Sequence, residues 1–121
     1  MKATSRSIRE GDLNTLIKNL VEYAIRYTPE GGHVDLSVQT VAGRVILRIE
    51  DTGPGIPEDE RERVFDPFYR VLGTDVMGSG LGLSIVRTIA EGIGAAINLA
   101  YVDRQTRSGL RVTVTFPSKN R

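Results

Sequence analysis

The sequence has no cysteine among its 121 residues, which excludes a disulfide framework, a thiol nucleophile and a thiolate metal site. It also lacks an excess of charge, because 16 Lys and Arg balance 15 Asp and Glu. No overall field therefore draws the chain to nucleic acid or to an anionic membrane, and any anion must be bound locally. No apolar run approaches the roughly 20 residues of a membrane span, and the first residues lack the apolar stretch of a signal peptide. We therefore expect a soluble chain without a nucleic-acid partner.

The length and composition indicate one globular domain. A chain of 121 residues is long enough for one domain and too short for two. Hydrophobic residues make up 40% and charged residues 26%, a balance that is typical of a soluble protein with a buried core.

The first half predicts a helix followed by a β-hairpin. Apolar residues at spacings of three and four predict a helix from about Asp12, its N-cap, to Tyr27, with one stripe facing the core: Leu13, Leu16, Ile17, Leu20, Val21, Ala24 and Ile25. Alternation then predicts a half-buried strand from His33 to Thr40, with Val34, Leu36 and Val38 on one face. Val45, Leu47 and Ile49 repeat the pattern after a turn at Ala42-Gly43, which indicates an antiparallel hairpin.

The second half is organised around glycines. A loop at 51–57 precedes a short helix that begins at Pro57. In the segment 71–77 the apolar residues show no regular spacing, which predicts a lid. A second helix then carries Leu81, Ile85 and Ile89 at four-residue spacing. Alternation at two further segments predicts a second hairpin from Ile97, Leu99, Tyr101, Leu110, Val112, Val114 and Phe116. These elements predict an α+β two-layer sandwich, one sheet covered on one face by helices.

Two loops and one helix face carry residues suited to a ligand. Glycines at 78, 80 and 82 before a helix offer free backbone N–H groups to a phosphate. Glycine turns before helices are also common without any ligand. Asp51 at a strand end can accept hydrogen bonds from an amino group on a flat ring, such as adenine, or can simply initiate a turn.

On the first helix, about 100° per residue places four residues together: Asn19, Tyr23, Arg26 and Tyr27. Asn19 offers an amide oxygen to Mg²⁺, Arg26 a cation to phosphates and Tyr27 an aromatic surface to a base. The alternative is a solvated helix face with a partly buried tyrosine.

Four ordered motifs, at 19–29, 51–57, 65–70 and 78–86, resemble the asparagine box, first glycine box, phenylalanine box and second glycine box of bacterial sensor histidine kinases. The resemblance implies the ATP-binding catalytic domain with a Bergerat-type fold and a mixed, mostly antiparallel sheet. Gyrase, mismatch-repair and heat-shock chaperone ATPases share this fold. On this basis we expect residues 11–121 to form the domain and residues 1–10 to be a truncated linker or first strand.

The resemblance also implies roles for individual residues. Asp51 would hold the adenine amine, Tyr27 would pack on the base, and Gly53, Gly55 and Ile56 would shape the adenine pocket. Asn19 would hold Mg²⁺, and the remaining positions expected to contact ATP phosphates or to bracket them are Arg26, Arg70, Gly78, Gly80, Leu81 and Gly82. The segment 71–77 matches the ATP lid.

One position departs from the family. The asparagine box carries a second asparagine, an expected Mg²⁺ ligand, where this sequence has Tyr23. A neutral phenol is a poorer ligand for a hard cation than an amide carbonyl. Tyr23 is expected to weaken nucleotide binding, to block the pocket, or to swing out while Asn19 and water complete the metal shell, and the sequence leaves these three open.

The implied reaction is transfer of the ATP γ-phosphate to a histidine on a separate dimerisation and phosphoacceptor domain, upstream of a response regulator. His33, the only histidine, is expected to be an exposed structural residue. The resemblance further implies a monomeric isolated domain, a homodimeric full-length protein and a cytoplasmic position in an inner-membrane sensor. Two alternative functions are considered beside this reaction. One is a degenerate domain that acts by docking, and the other is a serine kinase of the anti-sigma type.

Overall fold

The computed structural model describes residues 10–69 and 82–118. In chain order, the elements are α1 (Glu10–Tyr27), β1 (Val34–Val41), β2 (Arg44–Asp51), two single 3₁₀ turns (Glu58–Glu60 and Arg63–Phe65), α2 (Gly82–Ile93), β3 (Ala96–Asp103) and β4 (Ser108–Thr115). The short helix predicted after Pro57 is the first of the two 3₁₀ turns.

The strands form one sheet in the order β1-β2-β4-β3, and all of its pairings are antiparallel. Both predicted hairpins, β1-β2 and β3-β4, are therefore confirmed. The first hairpin turns at Ala42 and Gly43, which have φ values of +53° and +80°. Two positive φ values in a two-residue turn match the twist of the flanking strands.

The two α-helices cover one face of the sheet, which confirms the predicted α+β two-layer sandwich. Residues paired across antiparallel strands point to the same face, so the partners Ile49 and Val112 both point towards the helices. The core between the layers contains, among others, Leu16, Leu20, Leu47, Ile49, Val86, Leu99, Val112 and Val114. Burial of this apolar surface is the main stabilising contribution to the fold.

The start of α1 and one residue of its stripe differ from the prediction. The helix already includes Glu10 and Gly11, so Asp12 is not the N-cap and the expected domain boundary at residue 11 lies inside the helix. Ile25 is 60% exposed, whereas Leu16, Leu20 and Ala24 are buried. A seven-residue stripe is wider than the line along which α1 touches the sheet and α2, and Ile25 lies beyond that line.

The prediction that β1 is half buried was wrong. Leu36 and Val38 point to the helix side of the sheet, yet they are 49% and 63% exposed. The strand lies at the edge of the sheet, and of its apolar residues on the helix side only Val34 packs against the core. Alternation in a sequence identifies the two faces of a strand, but it does not show whether anything covers them.

The apolar residues that recur at four-residue spacing on α2 are not its most buried residues. Ile85 is partly exposed, Ile89 is half-buried, and Leu81 lies outside the described residues. The buried residues of α2 are instead Leu83, Val86 and Ala90.

Among the helices of the described ranges, none is long and apolar enough to cross a membrane.

Candidate functional site

A pocket lies where α1, the loop after β2 and the start of β4 meet. It is lined by Tyr23, Tyr27, Asp51, Pro54, Gly55, Ile56 and Leu110. The free space between these side chains is about 10 Å³. A cavity of this size holds about one water molecule and is too small for a heterocyclic ring.

Asp51 is the buried carboxylate of this pocket, with an exposed fraction of only 4%. One of its oxygens, Oδ1, accepts hydrogen bonds from the backbone N–H of Gly53 at 2.8 Å and of Leu110 at 3.1 Å. Burial raises the pKa of the carboxyl above its ordinary value, and the two backbone hydrogen bonds oppose that rise. Its other oxygen accepts no hydrogen bond from the described residues, so Asp51 retains acceptor capacity for a ligand.

The loop from Asp51 to Pro57 has no room for side chains at two of its glycines. A Cβ on Gly53 would lie 2.5 Å from the carbonyl oxygen of Tyr27. Gly55 has φ +80°, and a Cβ there would lie 2.7 Å from the carbonyl oxygen of Gly109. The loop therefore packs directly on the end of α1 and on the β3-β4 hairpin, and this contact fixes the position of Asp51.

Residues that sequence reasoning missed hold the loop in place. Gly109 donates its backbone N–H to the carbonyl of Gly53 at 2.6 Å and has φ +77°. An isolated glycine within a strand pattern is a recognised signal of close backbone approach, so the sequence did contain a hint of it.

Arg61 makes two contacts that brace the same loop. Its Nε donates to the carbonyl oxygen of Ile56 at 3.0 Å, and its guanidinium carbon lies 4.8 Å from the centroid of the Tyr101 ring. A Cβ on Gly55 would lie 2.7 Å from the same ring. Arg61 and Tyr101 are distant in sequence, so no local pattern could have identified their contact.

Three residues of the cleft face expected on α1 lie one helical turn apart on the same side of the helix. Asn19, Tyr23 and Tyr27 are all half-buried. The rings of Tyr23 and Tyr27 have centroids 4.5 Å apart and an interplanar angle of 33°. Asn19 donates Nδ2 to the carbonyl of Thr15 at 2.8 Å, and its Oδ1 lies 3.6 Å from the point that a Cβ on Gly82 would occupy. The asparagine side chain therefore lies next to the beginning of α2.

Other predicted site residues lie elsewhere or outside the described ranges. Arg26 is exposed in the last turn of α1 and does not line the pocket. His33 is exposed, as expected. The expected phosphate-binding positions Arg70, Gly78, Gly80 and Leu81 and the segment 71–77 lie outside the described residues.

Tyr23 is a neutral group in this site. Burial is the main cause that raises the pKa of its phenol, and the neighbouring Tyr27, Asp51 and Glu60 raise it further. The hydroxyl makes no hydrogen bond with the residues that the structure describes. A protonated phenol without a polar partner is held in the pocket by packing alone.

These residues together suit a flat ring that carries an amino group. A buried carboxylate with an open oxygen recognises an N–H donor, while aromatic and aliphatic walls cover the faces of a ring. No group of three or more His, Asp or Glu side chains that could hold a metal ion occurs in the part of the chain that the structure describes.

Comparison with known proteins gives consistent results. A family described as histidine kinase-, DNA gyrase B-, and HSP90-like ATPase matches residues 8–120. The sensor histidine kinase WalK of Bacillus subtilis is 34% identical over 117 residues, which cover 93% of this chain and 19% of that protein. The chain spans about a fifth of the length of the curated relatives that it matches.

Solved structures show the same similarity. The mycobacterial sensor histidine kinase MprB has a TM-score of 0.85 and 31% identity, over 91% of this chain and 74% of that chain. Full-length ShkA, solved in complex with AMPPNP, has a TM-score of 0.76 and 33% identity, over 90% of this chain and 22% of that chain.

Proposed function

Since the chain belongs to the family of histidine kinase-, DNA gyrase B- and HSP90-like ATPases, as the catalytic domain of a sensor histidine kinase, we propose that it binds ATP in the pocket beside Asp51. In this proposal the bound γ-phosphate is transferred to a histidine on a separate domain. The AMPPNP complex of ShkA supports a nucleotide as the ligand of this fold. That the matching relatives are sensor kinases supports this function over a serine kinase of the anti-sigma type.

The single observation that carries the proposal is the geometry of Asp51. Its Oδ1 is already bound to two backbone N–H groups, so its second oxygen is oriented and open to a ligand. The exocyclic amine of adenine donates to a carboxylate, whereas guanine has a carbonyl oxygen at the same ring position, which repels one. A buried carboxylate therefore selects adenine over guanine.

Other residues of the pocket receive roles from their positions and from the family motifs. We assign Tyr27 and Ile56 to the faces of the base, and Gly53 and Gly55 to the loop that lets the base approach. For the polyphosphate we assign the glycine run at 78–82, with Gly78, Gly80, Leu81 and Gly82, and the cations Arg26 and Arg70. Arg26 is exposed on the α1 turn that also carries Tyr23, from which its long side chain can reach out to a phosphate.

Among the described residues of the site, only Asn19 is suited to coordinate a magnesium ion. Asn19 keeps its Oδ1 free, because its Nδ2 makes the bond to the helix backbone. Tyr23 does not fit, because its phenol remains protonated. Mg²⁺ usually retains several waters and binds substrate phosphates, so Asn19 together with phosphates and water would suffice to hold it. When bound, the ion would neutralise phosphate charge.

The chain's contribution to transfer is to position ATP and to stabilise its charge. Phosphoryl transfer requires little covalent chemistry from the protein. Hydrolysis is disfavoured, because Asn19 stands where the related ATPases carry a glutamate that activates water, and the acceptor is instead a histidine of another domain. We further propose that residues 11–121 act with a dimerisation and phosphoacceptor domain in a homodimeric sensor at the inner membrane, which signals to a response regulator.

The test compares ATP and GTP binding to the chain and to Asp51→Asn by calorimetry. We expect the unmodified chain to prefer ATP and the variant to bind ATP about 30-fold more weakly, which corresponds to about 2 kcal/mol for a charge-assisted hydrogen bond. Asp35→Asn is the matched control, since Asp35 is exposed on β1. Unchanged ATP affinity in Asp51→Asn would refute the proposed role of the carboxylate.

A further inference from the structure

We propose that the ring of Tyr23 occupies the base pocket of this chain and must leave before a nucleotide base can enter. The inference rests on the proposed function, because it assumes that the pocket beside Asp51 receives adenine. It assigns to Tyr23 the role of an internal competitor, which lowers the affinity of the chain for every adenine compound.

The shape of the pocket is the first argument. Tyr23 lines the same pocket as Asp51 and Tyr27, and the free space left there is about 10 Å³. That is room for about one water molecule. A purine has two fused rings, so it cannot enter while these side chains keep their positions. The ring of Tyr23 forms part of the wall of this pocket and limits the space that a base would need.

The contact between the two tyrosines is the second argument. The Tyr23 ring lies 4.5 Å from the Tyr27 ring, centroid to centroid, and is tilted by 33°. This spacing is typical of a favourable aromatic pair. Tyr27 is also the residue assigned to the face of the base. Tyr23 therefore uses the aromatic surface that the base would use.

The absence of polar anchoring makes Tyr23 displaceable. Its hydroxyl has no hydrogen-bond partner within residues 10–69 and 82–118, and Asp51 is bound to Gly53 and Leu110 instead. An adenine amine gives the open oxygen of Asp51 the donor that Tyr23 fails to supply. The exchange replaces one ring contact by another and adds a hydrogen bond, so the base can displace the side chain at a cost in affinity.

This mechanism differs from the loss of a metal ligand at the same position. A missing ligand weakens only compounds that carry phosphates, and only when Mg²⁺ is present. An occupied base pocket weakens adenosine as well, in the absence of any metal. Adenosine in EDTA is therefore the probe that separates the two explanations.

The experiment measures adenosine and ATP binding in EDTA by calorimetry, for the unmodified chain, Tyr23→Ala, Tyr23→Asn and Tyr23→Phe. We expect both small substitutions to bind adenosine about tenfold more tightly, and Tyr23→Phe, which keeps the ring, to bind it as weakly as the unmodified chain. Ile89→Ala is the matched control for loosened packing, because Ile89 is half-buried on α2 and does not line the pocket. Circular dichroism checks that each variant is folded.

Two outcomes separate the inference from the proposed function. If adenosine binds Tyr23→Ala and Tyr23→Asn no more tightly than the unmodified chain, while ATP binding still depends on Asp51, the occupied-pocket inference is overturned and the proposed function stands. If no variant binds ATP or adenosine, both are overturned.

A second measurement uses the unmodified chain and so does not depend on the folding of any variant. The Tyr23 ring signals in an NMR spectrum, assigned by their loss in Tyr23→Phe, are expected to shift on addition of adenosine as the ring leaves Tyr27. Adenosine binding with unchanged Tyr23 signals would overturn the inference.

Discussion

Replacing Gly55 by alanine tests whether the loop after β2 is held as closely as its contacts indicate. Gly55 has φ +80°, in the left-handed region where an L-residue costs about 1 to 2 kcal/mol. The added Cβ would also lie 2.7 Å from the carbonyl oxygen of Gly109 and from Cδ1 of Tyr101. Overpacking of this kind costs typically about 1 to 3 kcal/mol. We therefore expect Gly55→Ala to lower the free energy of unfolding by about 3 kcal/mol.

Two other glycines provide matched controls, because Gly31 has only the backbone strain and Gly92 has neither that strain nor a close contact. Gly31 also has a positive φ of +88°, but a Cβ there meets no atom within 4 Å, so Gly31→Ala is expected to cost only the backbone strain, about 1 kcal/mol. Gly92 lies within α2 with open space around its Cα, so Gly92→Ala is expected to stabilise the chain by up to about 1 kcal/mol.

The assay is urea unfolding followed by far-ultraviolet circular dichroism, with the m-value checked for each variant. An unchanged m-value shows that the midpoint shift reports stability rather than a change in the denatured state. Thermal unfolding gives an independent reading, in which about 3 kcal/mol corresponds to a decrease of roughly 12 °C in Tm. If Gly55→Ala is no less stable than Gly31→Ala, the close approach of the loop to Gly109 and Tyr101 is refuted.

Three further predictions concern single residues. Ala42→Asn is expected to raise the free energy of unfolding by about 1 kcal/mol in urea unfolding, because Ala42 has φ +53° before a glycine and asparagine tolerates this conformation; a loss of stability would contradict this. Asp51→Asn is expected to raise Tm at pH 7 but not at pH 3. Burial raises the folded-state pKa of Asp51, so folding favours its protonated form, and that stabilisation is lost as the pH rises through the folded pKa; an equal Tm gain at both pH values would show that ionisation is not the cause. Arg61→Lys is expected to weaken ATP binding several-fold in calorimetry with little change in Tm, because lysine lacks the planar group that lies over Tyr101; unchanged affinity would show that Arg61 does not position the loop.

Much of the fold could be predicted because its signals are local or periodic. The spacing of Leu16, Leu20 and Ala24 depends on the geometry of a single helix, and the alternation in the strands depends on that of a single strand. The turn at Ala42-Gly43 is likewise a property of adjacent residues. The same reasoning failed for Ile25 and for β1, because exposure depends on which neighbouring layer reaches a residue.

The same distinction applies to the candidate site, where contiguous patterns were identifiable and contacts between distant residues were not. Asp51 and the glycines around it were identifiable, because a carboxylate in a glycine-rich turn is a contiguous pattern. Its partner Leu110 was not, because the hydrogen bond joins residues 59 positions apart. Arg61 and Tyr101 were missed for the same reason.

By itself, the sequence determined the types of element, their order and the family, since each depends on patterns of neighbouring residues. Only the tertiary structure decided that the Tyr23 ring lies against Tyr27 and lines the pocket beside Asp51, which has little free space. The sequence left three conformations open for Tyr23, because the position of a side chain is set by the space that other elements leave around it. Packing between α1, the loop after β2 and the start of β4 defines that space, and no local pattern encodes it.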